Sequence, residues 1–209
     1  MGIVIPPNVI SGSPEWWLQR LTQKLMDRQA RYDKNENYVL GKQRPPMGDR
    51  RYVKGLEVLQ KTAKTNYLGM ITQAPVDRMR VKGFRFGEIS QADEDAAKVW
   101  DYNDLDLQSK ILHLAAATFG DAYALVLDPD KNSFGQAIVT IEDPRNAIVE
   151  PDPKRPMKSL AGLRLWGDIL LQRVMAVLYL PGKKYTYEGP GLNEIKNLEI
   201  GRASCRERV

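Results

Sequence analysis

Catalysis near neutral pH needs a side chain that titrates or attacks there, and this chain offers few. His113 is its single histidine. It lies in the apolar run from Ile111 to Leu127, a setting that suits a packed imidazole with one satisfied nitrogen. No serine stands in a nucleophile-elbow pattern, and no glycine-rich loop ends in Gly-Lys-Ser/Thr. Gly182-Lys183-Lys184 lacks both the upstream glycine and the hydroxyl that would cradle phosphate and hold magnesium. Asp128 to Gly135 spaces oxygen ligands like a calcium loop. However, Ser133 takes the place where the sharp turn needs glycine, and Val139 the place of the bidentate glutamate, so the segment reads as a hairpin turn. Asp104, Asp106 and Asp121 suggest acid pairs, yet the first two are explained by the positive end of a helix dipole. No catalytic, cofactor-binding or metal-ligating residue is assigned, no cofactor is expected, and the chain is read as a non-enzyme.

The elements around these residues are organised about Trp100 to Leu127. Asn103 is placed to cap a helix, with Asp104 and Asp106 in its first turn. Leu105, Leu112 and Phe119 recur every seven residues, and Leu107, Ile111, Leu114 and Ala115 widen the stripe until the helix is apolar almost all round, the mark of burial. Gly120 breaks it. Ala122 to Leu127 then reads as a strand covered on both faces. This helix–Gly–strand unit is expected to be the centre of the core.

Upstream, Met1 to Gly12 is apolar and proline-rich, an extended arm. Ser13-Pro14-Glu15 is a helix start. Trp17, Leu18, Leu21, Leu25 and Tyr32 form the inner face of that helix and Gln19, Arg20, Lys24, Arg28 and Arg31 a basic outer face, with an end near Asp33 to Asn37. Trp16 and Trp17 are adjacent, so one packs inward and the other serves either packing or a subunit contact. Tyr38 to Arg51 is a loop. Leu56, Leu59 and Ala63 mark a second helix, and Asn66 caps a third through Met70, Ile71 and Ala74, which Pro75 should bend or interrupt. Val81 to Phe86 reads as a strand. Ser90 to Asn103 is a fourth helix with Ala96, Ala97 and Trp100 inward. Downstream, Ala137 to Ile141 and Ala147 to Val149 are short strands. Pro151, Pro153 and Pro156 mark a loop, and Leu160 to Trp166 and Ile169 to Leu180 form a hairpin across Gly167-Asp168. Pro181-Gly182 turns the chain into a strand at Lys184 to Tyr187. The fold class is α+β, N-terminal helices packed on a mostly antiparallel sheet: an arm at 1–12, then one domain at 13–198 that is helical over 13–120 and sheet-rich over 121–198.

The 209 residues carry a net charge of +5, unevenly distributed. Residues 1–90 hold 16 Lys/Arg against 8 Asp/Glu, and residues 91–198 hold 12 against 16. The basic half is either a nucleic-acid-facing surface or a set of solvated helix faces. No segment approaches the roughly 20 apolar residues of a membrane span, and Met1 to Ile10 lacks the plan of a signal peptide. Glu199 to Val209 resembles a translated sequencing adapter and is set aside as a non-native tail. With it goes Cys205, the one cysteine, and the natural protein is expected to continue beyond Leu198.

One ordered set of residues is more specific. Trp17-Leu18 with Leu21 is followed by Tyr38-Val39-Leu40-Gly41, then Thr65-Asn66-Tyr67, Val76-Asp77-Arg78 and Val81-Lys82-Gly83-Phe84. Next come Val99-Trp100-Asp101-Tyr102-Asn103-Asp104-Leu105-Asp106, Phe119-Gly120-Asp121-Ala122-Tyr123 and Ile141-Glu142-Asp143-Pro144. This succession resembles the N-terminal part of tailed-phage portal proteins of the SPP1-like group, over Glu15 to Leu180.

The resemblance implies a structural subunit of a dodecameric ring at one capsid vertex, found in the virion and, during assembly, in the host cytoplasm. Its implied partners are copies of itself, the major capsid and scaffolding proteins, the terminase large subunit, the head-completion or adaptor proteins, and double-stranded DNA passed without regard to sequence; no membrane is implied. In that family the ATPase is the terminase and the ring hydrolyses nothing. The region present corresponds to the outer wing; the channel helix, clip and crown are not represented, so DNA-lining residues are not carried over. Lys24, Arg28 and Arg31 are the basic positions expected to meet acidic neighbours or packaged DNA. The alternatives are a nucleic-acid-binding module built on residues 1–90 and an enzyme fragment whose site lies beyond Leu198.

Overall fold

The computed structural model describes residues 10–42, 55, 58, 66–85, 94–128, 136–168, 170 and 173–190. The elements are α1 (Pro14–Val39), α2 (Tyr67–Arg78), α3 (Glu94–Tyr102), α4 (Leu105–Phe119), β1 (Tyr123–Leu127), β2 (Ile138–Glu142), β3 (Ala147–Asp152), β4 (Arg155–Asp168), β5 (Arg173–Leu180) and β6 (Lys183–Pro190). This is an α+β fold. Two compact units divide it: Met1–Gln29 with Glu142–Val209, and Ala30–Ile141.

The first unit is built on an antiparallel sheet of order β3-β4-β5-β6. Side chains alternate across a strand, so the register lays out rows on each face. Ile148, Leu163, Leu178 and Tyr185 form one row, and Leu165, Ala176 and Tyr187 the next. The period of α1 places Leu18, Leu21 and Leu25 on one stripe, and these residues pack onto those rows with Trp17 and Met26 at the margin. Each buried leucine stabilises by about 1.5–3 kcal/mol. Glu150 sits opposite Ala161 in the same register and meets Lys24 and Arg20 of the helix.

The second unit holds the rest of α1, the helices α2 to α4 and the β1-β2 pair. α1 runs to Val39, beyond its expected end. A Schellman motif closes it: the Lys42 N–H reaches the Asn37 carbonyl at 2.7 Å, the Gly41 N–H reaches Tyr38 at 3.2 Å, and Gly41 has φ +67°. Asn66 caps α2 as expected, its side chain accepting from the Gly69 N–H at 3.0 Å.

The largest departure concerns the expected core. α4 has no buried residue: Leu107 is 64% and Ile111 51% exposed. β1 alternates half-buried and exposed positions, with Val126 at 63%, and is not covered on both faces. Apolar composition states a preference for burial, but only a packed partner satisfies it. Asn103 does not cap α4. Asp104 stands at that position in the left-handed region, φ 49°, without a side-chain cap, because the Asn103 amide is engaged with β2.

Other boundaries also move. α2 continues through Pro75 to Arg78; Val76, fully buried, anchors the last turn and offsets the missing N–H. Residues 81–85 form no strand, since no strand among the described residues pairs with them. Ala97 faces outward. Pro151 and Pro156 lie within β3 and β4. β3 is an edge strand with register shifts at Pro151, where a missing N–H costs least. The β4-β5 hairpin pairs as far as Asp168 with Arg173, so its turn lies after Asp168 rather than at Gly167-Asp168.

Outside the described residues lie most of the arm, the 43–51 part of the expected loop, Phe86, the start of the fourth helix, the 129–135 turn and the tail with Cys205. So do Leu56, Leu59 and Ala63; of that second helix only Gly55 and Val58 are described, both helical.

Truncating Leu21, fully buried, leaves a cavity between α1 and the sheet. Leu21→Ala is expected to lower unfolding stability by about 2–5 kcal/mol, read from denaturant titration followed by circular dichroism. Tyr187 is 1% exposed and its hydroxyl has no hydrogen-bond partner among the described residues. Burial, aided by the negative charges of Glu15 and Tyr185, pushes the phenol up to about 12. The unfolded phenol ionises near its ordinary 10.0, so its contribution is complete below that pH and is lost as pH rises towards 12. Tyr187→Phe should leave neutral-pH stability equal or higher and flatten this alkaline decline in melts recorded across pH.

Candidate assembly surface

Two of the acidic residues that sequence spacing singled out, Asp106 and Asp121, have separate partners. Asp106 accepts from the Trp100 indole N–H at 3.1 Å. Asp121 accepts from Arg31 and from the Tyr32 hydroxyl, both at 2.7 Å. His113 is half-buried along α4. Gly182, φ +73°, makes the tight turn at which Leu180 pairs with Lys183, which accounts for Gly182-Lys183-Lys184. Among the described residues, no group of three or more His, Cys, Asp or Glu side chains could hold a metal ion, and no helix is long and apolar enough to cross a membrane.

The basic face of α1 is largely engaged inside the chain. Lys24 bonds Glu150, with Arg20 at 3.7 Å from the same carboxylate. Arg31 pairs with Asp121 at 2.7 Å, and Arg28 is engaged as well. The two adjacent tryptophans are both half-buried and stack edge to face at 4.8 Å, with the Arg20 guanidinium 5.2 Å from the Trp16 ring. Neither is a free aromatic patch. Beside the sheet, Arg164 pairs with Glu142 at 2.8 Å and lies over the Trp166 ring at 4.9 Å; burial pushes the Tyr179 hydroxyl up. Burial also acts to raise the Asp143 carboxyl, but hydrogen bonds from Arg145 outweigh it and hold the group below its ordinary value.

The ordered motifs turn out to be joints of the fold. Asn66 accepts from Gly69 and donates to the Val39 carbonyl, so one amide caps α2 and satisfies the end of α1. Asn103 donates to the Val99 and Ala137 carbonyls and accepts from the Val139 N–H; its amide bonds β2 as a neighbouring strand's backbone would. Phe119 meets the Tyr32 ring at 5.4 Å, Gly120 ends α4 at φ +79°, and Asp121 closes on Arg31 and Tyr32. Asp143 accepts from the Arg145 N–H at 2.8 Å in the turn before β3, and Pro144 is fully buried.

One group of outward side chains is apolar. Tyr67, Met70 and Ile71 are exposed at helical spacing on α2, and Leu107 and Ile111 on α4, two helices that pack on each other within one unit. Exposed apolar residues grouped on neighbouring helices mark an interaction surface.

A Cβ at Gly69 would stand 2.6 Å from Asn66 Nδ2 and 2.9 Å from the Val39 carbonyl oxygen. Gly69→Ala should therefore break the amide bridge and cost about 1–2 kcal/mol, with faster hydrogen exchange at the Gly69 position and at the start of α2 as the check.

A family model described as phage portal protein, SPP1 Gp6-like, matches residues 18–199. A protein named "Portal protein" from Mycobacterium phage D29 is 27% identical over 105 residues, covering 47% of this chain and 22% of that protein. Another "Portal protein", from Mycobacterium phage L5, is 26% identical over 103 residues, covering 47% and 21%. The match thus spans about a fifth of the length of these curated relatives.

Proposed function

The chain belongs to the SPP1 Gp6-like family of phage portal proteins, and we propose that it is a structural subunit of the portal ring at the capsid vertex, supplying part of the outer wing over residues 13–198. The ring is a passage for double-stranded DNA during packaging and ejection. It docks the terminase large subunit, contacts the capsid and scaffolding proteins, and later receives the head-completion proteins. Its place is the virion, and the host cytoplasm while it assembles. Its work is to hold and align, with no bond broken by its own residues.

The observation that carries this reading is α4. Its sequence asks for burial almost all round, yet Leu107 and Ile111 stand open. Apolar surface left in water gains nothing, whereas a neighbouring copy covering it gains about 25 cal/mol for each Å² of apolar area removed. A subunit made to be flanked by identical copies has reason to keep this face apolar.

Mass photometry and sedimentation across a concentration series test it. The chain is expected to associate with itself as concentration rises. Ile111→Glu should weaken that association by roughly tenfold or more, the equivalent of about 1.4 kcal/mol, while changing the unfolding stability of the monomer by no more than about 0.5 kcal/mol. A chain that stays monomeric throughout, or an Ile111→Glu variant that associates undiminished, overturns the reading.

A further inference from the structure

We infer that the segment following α2, with Lys110 of α4, is a binding site for the phosphate backbone of nucleic acid. Arg80, Lys82 and Arg85 lie within six consecutive residues and are exposed, and Arg78 precedes them in the last turn of α2. Arg80 and Lys110 line the same cleft, of about 260 Å³, with Met79, Val81, Asp106 and Ser109. Arg80, Lys82, Arg85 and Lys110 enter no ion pair among the described residues. This contrasts with Arg20, Lys24, Arg31, Arg145, Arg164 and Arg173, each of which has a carboxylate partner. The carboxylates close by are occupied by neutral donors: Asp77 takes the Gln73 amide at 2.8 Å and Asp106 the Trp100 indole at 3.1 Å.

The segment is held in place. The Met79 N–H bonds the Pro75 and Val76 carbonyls, and the Phe84 ring lies 5.3 Å from that of Trp100. Cations spaced this closely repel one another, and a bound polyanion relieves that repulsion. A duplex carries one phosphate charge per about 1.7 Å of axis, far denser than the carboxylates of an ordinary protein surface. Guanidinium groups suit phosphate oxygens bidentately, and the Ser109 hydroxyl supplies a further donor. The cations sit on an irregular segment rather than on a helix or ribbon shaped for a groove, so the contact is to the backbone and carries no sequence preference.

Fluorescence anisotropy with a labelled mixed-sequence duplex, between about 50 and 200 mM salt, tests the site on the whole chain. The triple variant Arg80→Gln, Lys82→Gln, Arg85→Gln should bind about tenfold more weakly at the lower salt, and its log–log salt slope should be shallower by about 0.9 for each phosphate no longer neutralised. Its thermal melt should match the parent because the three residues are exposed and form no ion pair among the described residues. A second triple, Lys154→Gln, Arg155→Gln, Lys158→Gln, removes equal charge from the β3-β4 hairpin, where the residues are also exposed, and should retain binding. Equal weakening in both triples, which would make net charge the cause, overturns the inference. So does a parent chain that ignores the duplex, or one that prefers polyglutamate of matched charge. Self-association is independent of this site and should be unaltered in the first triple, which separates its failure from failure of the ring assignment.

Discussion

The docking of α1 on the four-stranded sheet is the constraint from which the rest follows. One stripe of the helix, Leu18, Leu21 and Leu25, meets two rows of the sheet whose register brings Ile148, Leu163 and Leu178 into line. A one-residue slip in any strand would turn its apolar row outward. At the edge, Glu150 shares the face that α1 covers and closes on Lys24 and Arg20. This half-exposed ion pair adds little energy of its own, but it is satisfied only in this register. Hydrophobic burial supplies the stability and the carboxylate selects the alignment.

Within the second unit, the apolar helix α4 has no buried residue. The second unit depends more on point connections than on a buried core: the Asn66 bridge to Val39, the Asn103 clasp on β2, and the Asp121 contact with Arg31 and Tyr32. Each places a short polar side chain where a backbone group or charge would otherwise lack a partner. These are among the residues that make the chain resemble its family. In this chain they have a mechanical meaning: they set where helices end and strands begin.

The cations sort by the same logic. Arg20, Lys24 and Arg31 on α1 and Arg164 in the sheet meet carboxylates brought near by the fold, and their charge is neutralised locally. Those after α2 meet none among the described residues. A count of basic residues over the N-terminal half merges paired and unpaired cations, although a cation paired with a carboxylate projects less field toward an outside partner.

Much of the architecture was legible in the sequence because it rests on local periodicity and on turn chemistry. The face of α1, the cap at Asn66, the break at Gly120, the turn at Gly182 and the run of late strands all follow from side-chain spacing and from the left-handed backbone that glycine allows. The α+β class was legible for the same reason. Three things depended on contacts between residues far apart in the chain. The packing of the α1 stripe on the sheet was settled by residues as distant in the chain as Leu18 and Leu178. The role of Asn103 was set by β2, more than thirty residues downstream. The distinction between Lys24, engaged by Glu150, and Lys82, with no carboxylate partner among the described residues, required the whole chain to be folded, because an ion pair is a property of two positions and composition records only one at a time.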